Sequence, residues 1–120
     1  MNYYLDTYAI IEIINGNKNY SRFLGESFST SIFNLYELYY SLLRVYNKET
    51  AEKYFLRFKK VLINFNDNHI FMASELKLKY KKRGLSYTDC LGYVISKEKE
   101  IKFLTGDQEF KDLENVEYVK

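Results

Sequence analysis

Four carboxylates, Asp6, Glu37, Asp89 and Asp107, stand out in this chain because each falls where a predicted parallel sheet would deliver it to one edge. Asp6 closes the apolar run Tyr3-Tyr4-Leu5, and Asp107 follows Lys102-Phe103-Leu104-Thr105-Gly106. Asp89 falls in the first turn of a predicted helix, and Glu37 lies inside a strongly apolar one. Acids gathered without cations repel one another and cost stability unless a bound ion neutralises them. Aspartate and glutamate oxygens suit hard cations such as Mg²⁺ or Mn²⁺. A divalent metal site and phosphodiester chemistry are therefore the expectation. His69 is the one histidine and Cys90 the one cysteine, so a zinc site of His and Cys ligands is nearly excluded.

Each acid also has an ordinary explanation. Asp6 can cap a helix, Asp107 can hold a turn, and Ser86-Tyr87-Thr88-Asp89 reads as a capping box with Asp in place of Glu. Glu37 is harder to explain locally, because Phe33, Tyr40 and Ser41 flank it at helical spacing and none carries positive charge. Each of these readings needs its own turn, whereas one metal site accounts for all four.

The elements that must position these acids follow from periodicity and punctuation. Residues 2–5 read as a buried strand, followed by a helix through Ala9–Ile14 that stops at Asn15-Gly16. A short helix near Tyr20–Leu24, a strand at Ser27–Thr30 and a long helix from Ser31 to about Tyr46 come next. Lys48 to about Leu62 reads as a helix with Ala51, Phe55, Phe58 and Leu62 near one face, and Ile63-Asn64-Phe65 as a strand. Asp67 or Asn68 starts a helix ending in Lys81-Lys82-Arg83-Gly84, with His69 as a capping or surface residue. Ser86 caps a helix to about Lys97, Lys102–Thr105 is a strand, Gln108–Leu113 a short helix, and Val116–Val119 the closing strand. This alternation predicts an α/β fold, a Rossmann-like parallel sheet of about five strands flanked by helices. Ligands of such sheets bind beyond the carboxyl ends of the strands, where Asp6 and Asp107 fall.

At 120 residues the chain reads as a single domain, 1–120, long enough to bury a real core. Hydrophobic residues at 47% and charged residues at 28% describe a globular protein and argue against disorder. A net charge of +2 does not by itself announce a nucleic-acid binder. Cys90 lacks an intramolecular disulfide partner and reads as a small core residue. No leader and no membrane-length apolar run is apparent, so a cytoplasmic protein without a membrane is expected.

Taken in order, Leu5-Asp6-Thr7, Ser31 with Glu37, Ser86-Tyr87-Thr88-Asp89-Cys90-Leu91 and Leu104-Thr105-Gly106-Asp107-Gln108-Glu109-Phe110 resemble the PIN-domain ribonucleases. The length is similar to that of the single-domain toxins of VapBC toxin–antitoxin systems. The resemblance implies a metal-dependent endoribonuclease using Mg²⁺ or Mn²⁺, with Asp6, Glu37, Asp89 and Asp107 as its acids. Asp6 and Asp89 match the positions most regularly tied to metal, and Thr7 and Thr105 match supporting hydroxyls. Tyr8 departs from the family pattern, where a smaller residue is usual.

RNA must approach an acidic pocket, so basic side chains are needed to draw its phosphates in. Lys77, Lys79, Lys81, Lys82 and Arg83 are the candidates, with Arg57, Lys59 and Lys60 as a second group; a solvated helix face is the alternative. The helix around Glu37 is apolar on nearly every side, which predicts a homodimer contact, a groove for an antitoxin helix, or packing beneath the next helix. The implied partners are an RNA substrate, a cognate small DNA-binding antitoxin and a second copy. A housekeeping PIN nuclease without an antitoxin, or a PIN-like binding module without catalysis, remains open. A receiver domain would pair two acids after the first strand, and a haloacid-dehalogenase-like phosphatase would need Asp where Tyr8 stands.

Overall fold

A computed structural model describes residues 2–120. Strand β1 (Asn2–Leu5) leads into helix α1 (Thr7–Ile14), and a 3₁₀ segment (Lys18–Phe23) precedes strand β2 (Ser27–Ser29). Helices α2 (Ile32–Val45), α3 (Lys48–Lys59), α4 (Asp67–Lys79) and α5 (Tyr87–Glu98) follow, the last two separated by a 3₁₀ turn at Lys81–Arg83. Strand β3 (Lys102–Thr105), a 3₁₀ turn (Gln108–Phe110) and strand β4 (Val116–Tyr118) complete the order. The strands are all parallel and run β2-β1-β3-β4 across the sheet.

Strand alternation divides the core in two. On β1, Tyr3 and Leu5 join Leu104 of β3 and the apolar faces of α1, α2 and α3, including Ile10, Leu35, Leu38 and Ala51. Tyr4 and Phe103 face the other way, against Leu91, Val94 and Ile95 of α5 and Ala73 of α4. A strand covered on both faces must be apolar on both faces, which is why the short runs at Tyr3-Tyr4-Leu5 and Phe103-Leu104 need no polar alternation. Gly92 permits α5 to approach closely, since a Cβ there would come within 2.6 Å of the Tyr4 ring.

The chain leaves β1 for β2 on one side and returns to β3 on the other. The reversal of strand order therefore falls between β1 and β3, and the crevice lies beyond their carboxyl ends. Asp6 and Asp107 occupy that edge.

The strand expected at Ile63-Asn64-Phe65 does not form, so the described sheet has four strands rather than about five. One bridge, Thr30 to Leu62, stands in its place, with Thr30 N–H donating to Val61 O (3.2 Å) and Ile63 N–H to Thr30 O (2.8 Å). Ser31 already caps α2 directly after Thr30, and Asn66 caps α4, so the ladder has no room to lengthen. The helix expected to run through Arg83 ends at Lys79, with Gly84 in the left-handed region at φ 68°. His69 is buried rather than superficial: its Nδ1 accepts the Asn66 N–H at 3.0 Å and its Nε2 lies 2.7 Å from Glu98 Oε1. Cys90 is buried, and burial pushes its thiol up to about 11. Among the described residues no helix is long and apolar enough to cross a membrane.

Candidate metal centre

Asp6 terminates β1 and caps α1, and its backbone N–H donates to Leu104 O of β3 at 3.3 Å. Asp107 lies two residues beyond β3 and caps the following 3₁₀ turn, its Oδ1 accepting the Glu109 N–H at 2.9 Å. Asp89 sits in the first turn of α5, where its backbone N–H donates to the Ser86 hydroxyl at 3.0 Å. Glu37 is half-buried on α2. The capping geometry proposed for Asp6 and Asp107 is thus present, and it orients these carboxylates at the crevice.

Two hydroxyls tie the acids together. Thr105 donates to Asp6 Oδ2 and accepts the Asp107 N–H at 2.9 Å, linking the two strand ends. Thr7 donates to Glu37 Oε1 at 2.7 Å and accepts from Asn34 Nδ2 at 3.1 Å. Asn34 Oδ1 in turn accepts from the hydroxyls of Tyr4 and Ser31. This buried relay from β1 through α2 to Glu37 escaped the sequence reading. Asn34 stands three residues before Glu37 in an apolar helix, and that spacing on one face was the available signal.

The electrostatics single out two of the acids. Burial pushes Asp6 up from 3.8 to about 8, the Asp89 charge adds to this, and the bonds from Thr105 and Ala9 only partly oppose it. Burial likewise lifts Asp89 to about 7, with Glu37 and then Asp107 adding repulsion. No lysine or arginine figures among the influences on either acid, and none of the four acids forms an ion pair among the described residues.

Among the described residues, no three Asp, Glu, His or Cys side chains converge into a ready-made cage. Mg²⁺ does not require one, since it retains several waters and binds directly through one or two carboxylates. A donor set of oxygen acids, two of them raised by burial and by neighbouring carboxylates, fits such an ion. Asp6 uses one lone pair on each oxygen for Ala9 N–H (2.8 Å) and Thr105, which leaves further acceptor capacity on both.

The basic candidates separate into two kinds. Arg83 is committed to structure: its guanidinium holds Asp112 bidentately (2.7 and 3.0 Å), donates to Glu109 O at 2.9 Å and lies over the Tyr80 ring. Lys77 donates to Leu85 O and lies 4.6 Å from the Tyr87 ring centroid. Lys79 lies over Tyr80, and Lys81 and Lys82 are exposed. In the second group, Arg57 lies over Tyr54, and Lys59 and Lys60 are exposed. Tyr8, the departure from the family pattern, packs against Gly106, where a side chain would collide with its ring.

A family model described as PIN domain matches residues 3–116. No curated relative matches the sequence significantly. Among solved structures, the VapC20 toxin of Mycobacterium tuberculosis, described as Sarcin-Ricin loop cleaving, is 18% identical with a TM-score of 0.79, covering 98% of this chain and 99% of that one. VapBC2 from Rickettsia felis, bound to a DNA fragment from its promoter, is 23% identical with a TM-score of 0.72 and complete coverage of both chains. A toxin-antitoxin complex from Klebsiella pneumoniae is 15% identical with a TM-score of 0.75, covering 95% of this chain and 94% of that one.

Proposed function

The chain belongs to the PIN-domain family, and from that premise we propose that it is a metal-dependent endoribonuclease serving as the toxin of a type II toxin–antitoxin pair. The observation that carries this reading is the nearness of Asp6 and Asp89: a fully buried acid and a half-buried one, raised by burial to about 8 and about 7, with no cation beside them. A fold that tolerates such repulsion at a sheet's ligand-binding edge is suited to a divalent ion.

In this reading Asp6 and Asp89 hold Mg²⁺ or Mn²⁺ directly, and Glu37 and Asp107 complete the acidic rim. Bound there, the ion supplies charge neutralisation at the phosphate, an acidified water and a template for in-line displacement. The chain's own residues fix the geometry. Thr105 and the Ala9 N–H hold the Asp6 carboxylate, Thr7 holds Glu37, and the Glu109 N–H holds Asp107. Lys81 and Lys82, free of ion pairs among the described residues, attract the RNA backbone.

The exposed face of α2 supports the partner part of the proposal. Leu35, Leu38 and Leu42 enter the core and Tyr39 packs on Phe55 of α3, yet Phe33, Tyr36 and Tyr40 remain 44%, 74% and 62% exposed. On α4, Ile70 and Phe71 are exposed as well. Apolar surface of this kind suits an antitoxin helix or a second copy. The test is cleavage of single-stranded RNA by the purified protein. Activity should vanish with EDTA, return with Mg²⁺ or Mn²⁺, and be absent from a folded Asp89→Asn variant. Cleavage that persists after thorough chelation refutes the proposal.

A further inference from the structure

The first turn of α1 reaches three of the four acids. Asp6 opens it as the cap, and Thr7 donates to Glu37 Oε1 at 2.7 Å. Tyr8 supplies the third link: its ring lies on Gly106, the residue that joins Thr105 to Asp107. The first two links are made by polar atoms. The third is made by ring carbons.

Tyr8 and Gly106 are a matched pair. A Cβ at Gly106 would stand 2.6 Å from Tyr8 Cδ1 and 2.5 Å from Cζ, well inside the roughly 3.5–4.0 Å of ordinary carbon contact. The Gly106 backbone lies outside the left-handed region, so conformation does not call for glycine there. The ring fills the space that a side chain at this buried position would take. Burial raises the Tyr8 phenol, and Glu12, Tyr118 and Asp6 raise it further, while its hydroxyl makes no hydrogen bond among the described residues. Tyr8 is thus a neutral ring that acts by shape.

That shape bears on Asp107. Its N–H donates to Thr105 Oγ1 and its Oδ1 accepts the Glu109 N–H, both at 2.9 Å, so its own bonds reach only two residues either way. Directly before it stands a glycine, the residue with the greatest backbone freedom to lose. The Tyr8 ring restrains that link from α1, an element that Asp107 does not otherwise touch through its hydrogen bonds. We infer that Tyr8 is a positioning residue for Asp107: its ring pins Gly106 and so sets the place of the Asp107 carboxylate in the acidic site. The consequence for an ion rests on reading the acids as a metal centre. Supporting contacts of this kind change metal affinity by roughly 10–100-fold when they are removed.

Two measurements separate the contact from the metal. Hydrogen exchange in the metal-free protein is followed at the amides of Asp107 and Glu109, with the Ala9 amide, bonded to Asp6, as reference. Tyr8→Ala is expected to speed the first two by about tenfold relative to Ala9, while Tyr8→Phe matches the wild type. Mn²⁺ affinity is then read from the paramagnetic resonance signal of the free ion. Tyr8→Ala should weaken it by about tenfold, and Tyr8→Phe should not. His69→Ala, which loosens the end of α5 remote from Asp89, should leave it unchanged. In an Asp107→Asn protein, Tyr8→Ala should cost no further affinity, because its effect passes through that carboxylate. Gly106→Ala, which displaces the ring without removing it, should speed the same two amides in the wild type and be tolerated alongside Tyr8→Ala. Unchanged exchange at Asp107 and Glu109 in both Tyr8→Ala and Gly106→Ala overturns the inference. A loss in Tyr8→Phe equal to that in Tyr8→Ala overturns it too, as does an additive loss of affinity in the Asp107→Asn protein. A wild type that binds no Mn²⁺ but shows the expected exchange pattern removes the metal-centre reading and leaves the role of Tyr8 standing.

Discussion

Replacing Asp6 with asparagine should stabilise the metal-free protein while abolishing its nuclease activity. Burial and the Asp89 charge lift Asp6 from 3.8 to about 8. The folded state therefore binds its proton more tightly than the unfolded chain does. The stability this group contributes is complete below about pH 4 and is lost as pH climbs towards 8, at close to 1.4 kcal/mol per pH unit. Near pH 8 the accumulated loss is about 5 kcal/mol. Asparagine keeps the cap, because its Oδ1 can accept the Ala9 N–H as Asp6 does at 2.8 Å. Its amide can donate to Thr105 Oγ1, whose own proton then loses its acceptor, a cost of about 1 kcal/mol. The net gain near pH 8 is about 4 kcal/mol, on the order of 10–15 °C in Tm for a domain of this size. Thermal or urea unfolding in EDTA across pH 4–8 measures it. The two proteins should converge near pH 4 and separate as pH rises. Equal stabilities at pH 8, or a difference independent of pH, would refute the claim that Asp6 is an uncompensated buried acid.

Divalent ion should narrow that gap. Saturating Mg²⁺ or Mn²⁺ is expected to raise the Tm of the wild type at pH 7.5 by several degrees and that of Asp6→Asn far less, since only a carboxylate gains from the ion; equal shifts in differential scanning fluorimetry would argue against a shared site. Gly92→Ala places a Cβ within 2.6 Å of the Tyr4 ring and should cost about 1–3 kcal/mol by chemical denaturation. His69→Ala removes the reciprocal cap on Asn66 and the contact with Glu98 (2.7 Å), with an expected loss of about 1–3 kcal/mol and little change in activity per folded molecule. Reversing charge at Lys81 and Lys82 together should weaken RNA binding and flatten its dependence on salt, whereas unchanged anisotropy titrations would remove that patch from the interface.

Much of this architecture was legible because both strands that carry the site are short, doubly buried and punctuated. Tyr3-Tyr4-Leu5 ends in Asp6, and Phe103-Leu104-Thr105 runs through Gly106 to Asp107, so strand, terminus and acid could be read together. The third expected strand failed for a reason that local sequence does not carry. Ile63-Asn64-Phe65 is apolar enough, but its neighbour on the sheet has only Thr30 left to offer before α2 begins. Pairing depends on the partner's length, which lies some thirty residues away. His69 caps α4 as its position suggests, but it is buried rather than superficial, because its burial depends on Glu98 arriving from α5.

The relay behind Glu37 shows a further limit and what it means for the site. Read along the helix, Glu37 lacks a partner; in three dimensions Thr7 from α1 donates to it, and Asn34 steadies Thr7 while receiving Tyr4 and Ser31. All but the Ser31–Asn34 link join residues some thirty positions apart, so no short window of sequence contains the relay. The consequence is a division of labour among the acids. Asp107 and Glu37 are half-buried and each held by a hydrogen bond, Asp89 is half-buried as well, and Asp6 alone is fully buried, where burial and then the Asp89 charge make ionisation costly. A purely structural polar network would be expected to satisfy its most buried acid best, with a guanidinium or several N–H donors. Asp6 accepts two hydrogen bonds, from the Ala9 N–H and from Thr105, but faces no guanidinium or ammonium, so burial and the Asp89 charge still drive it towards its proton. Helix capping explains the N–H contact and leaves that charge uncompensated, which is the feature that supports the proposed cation site.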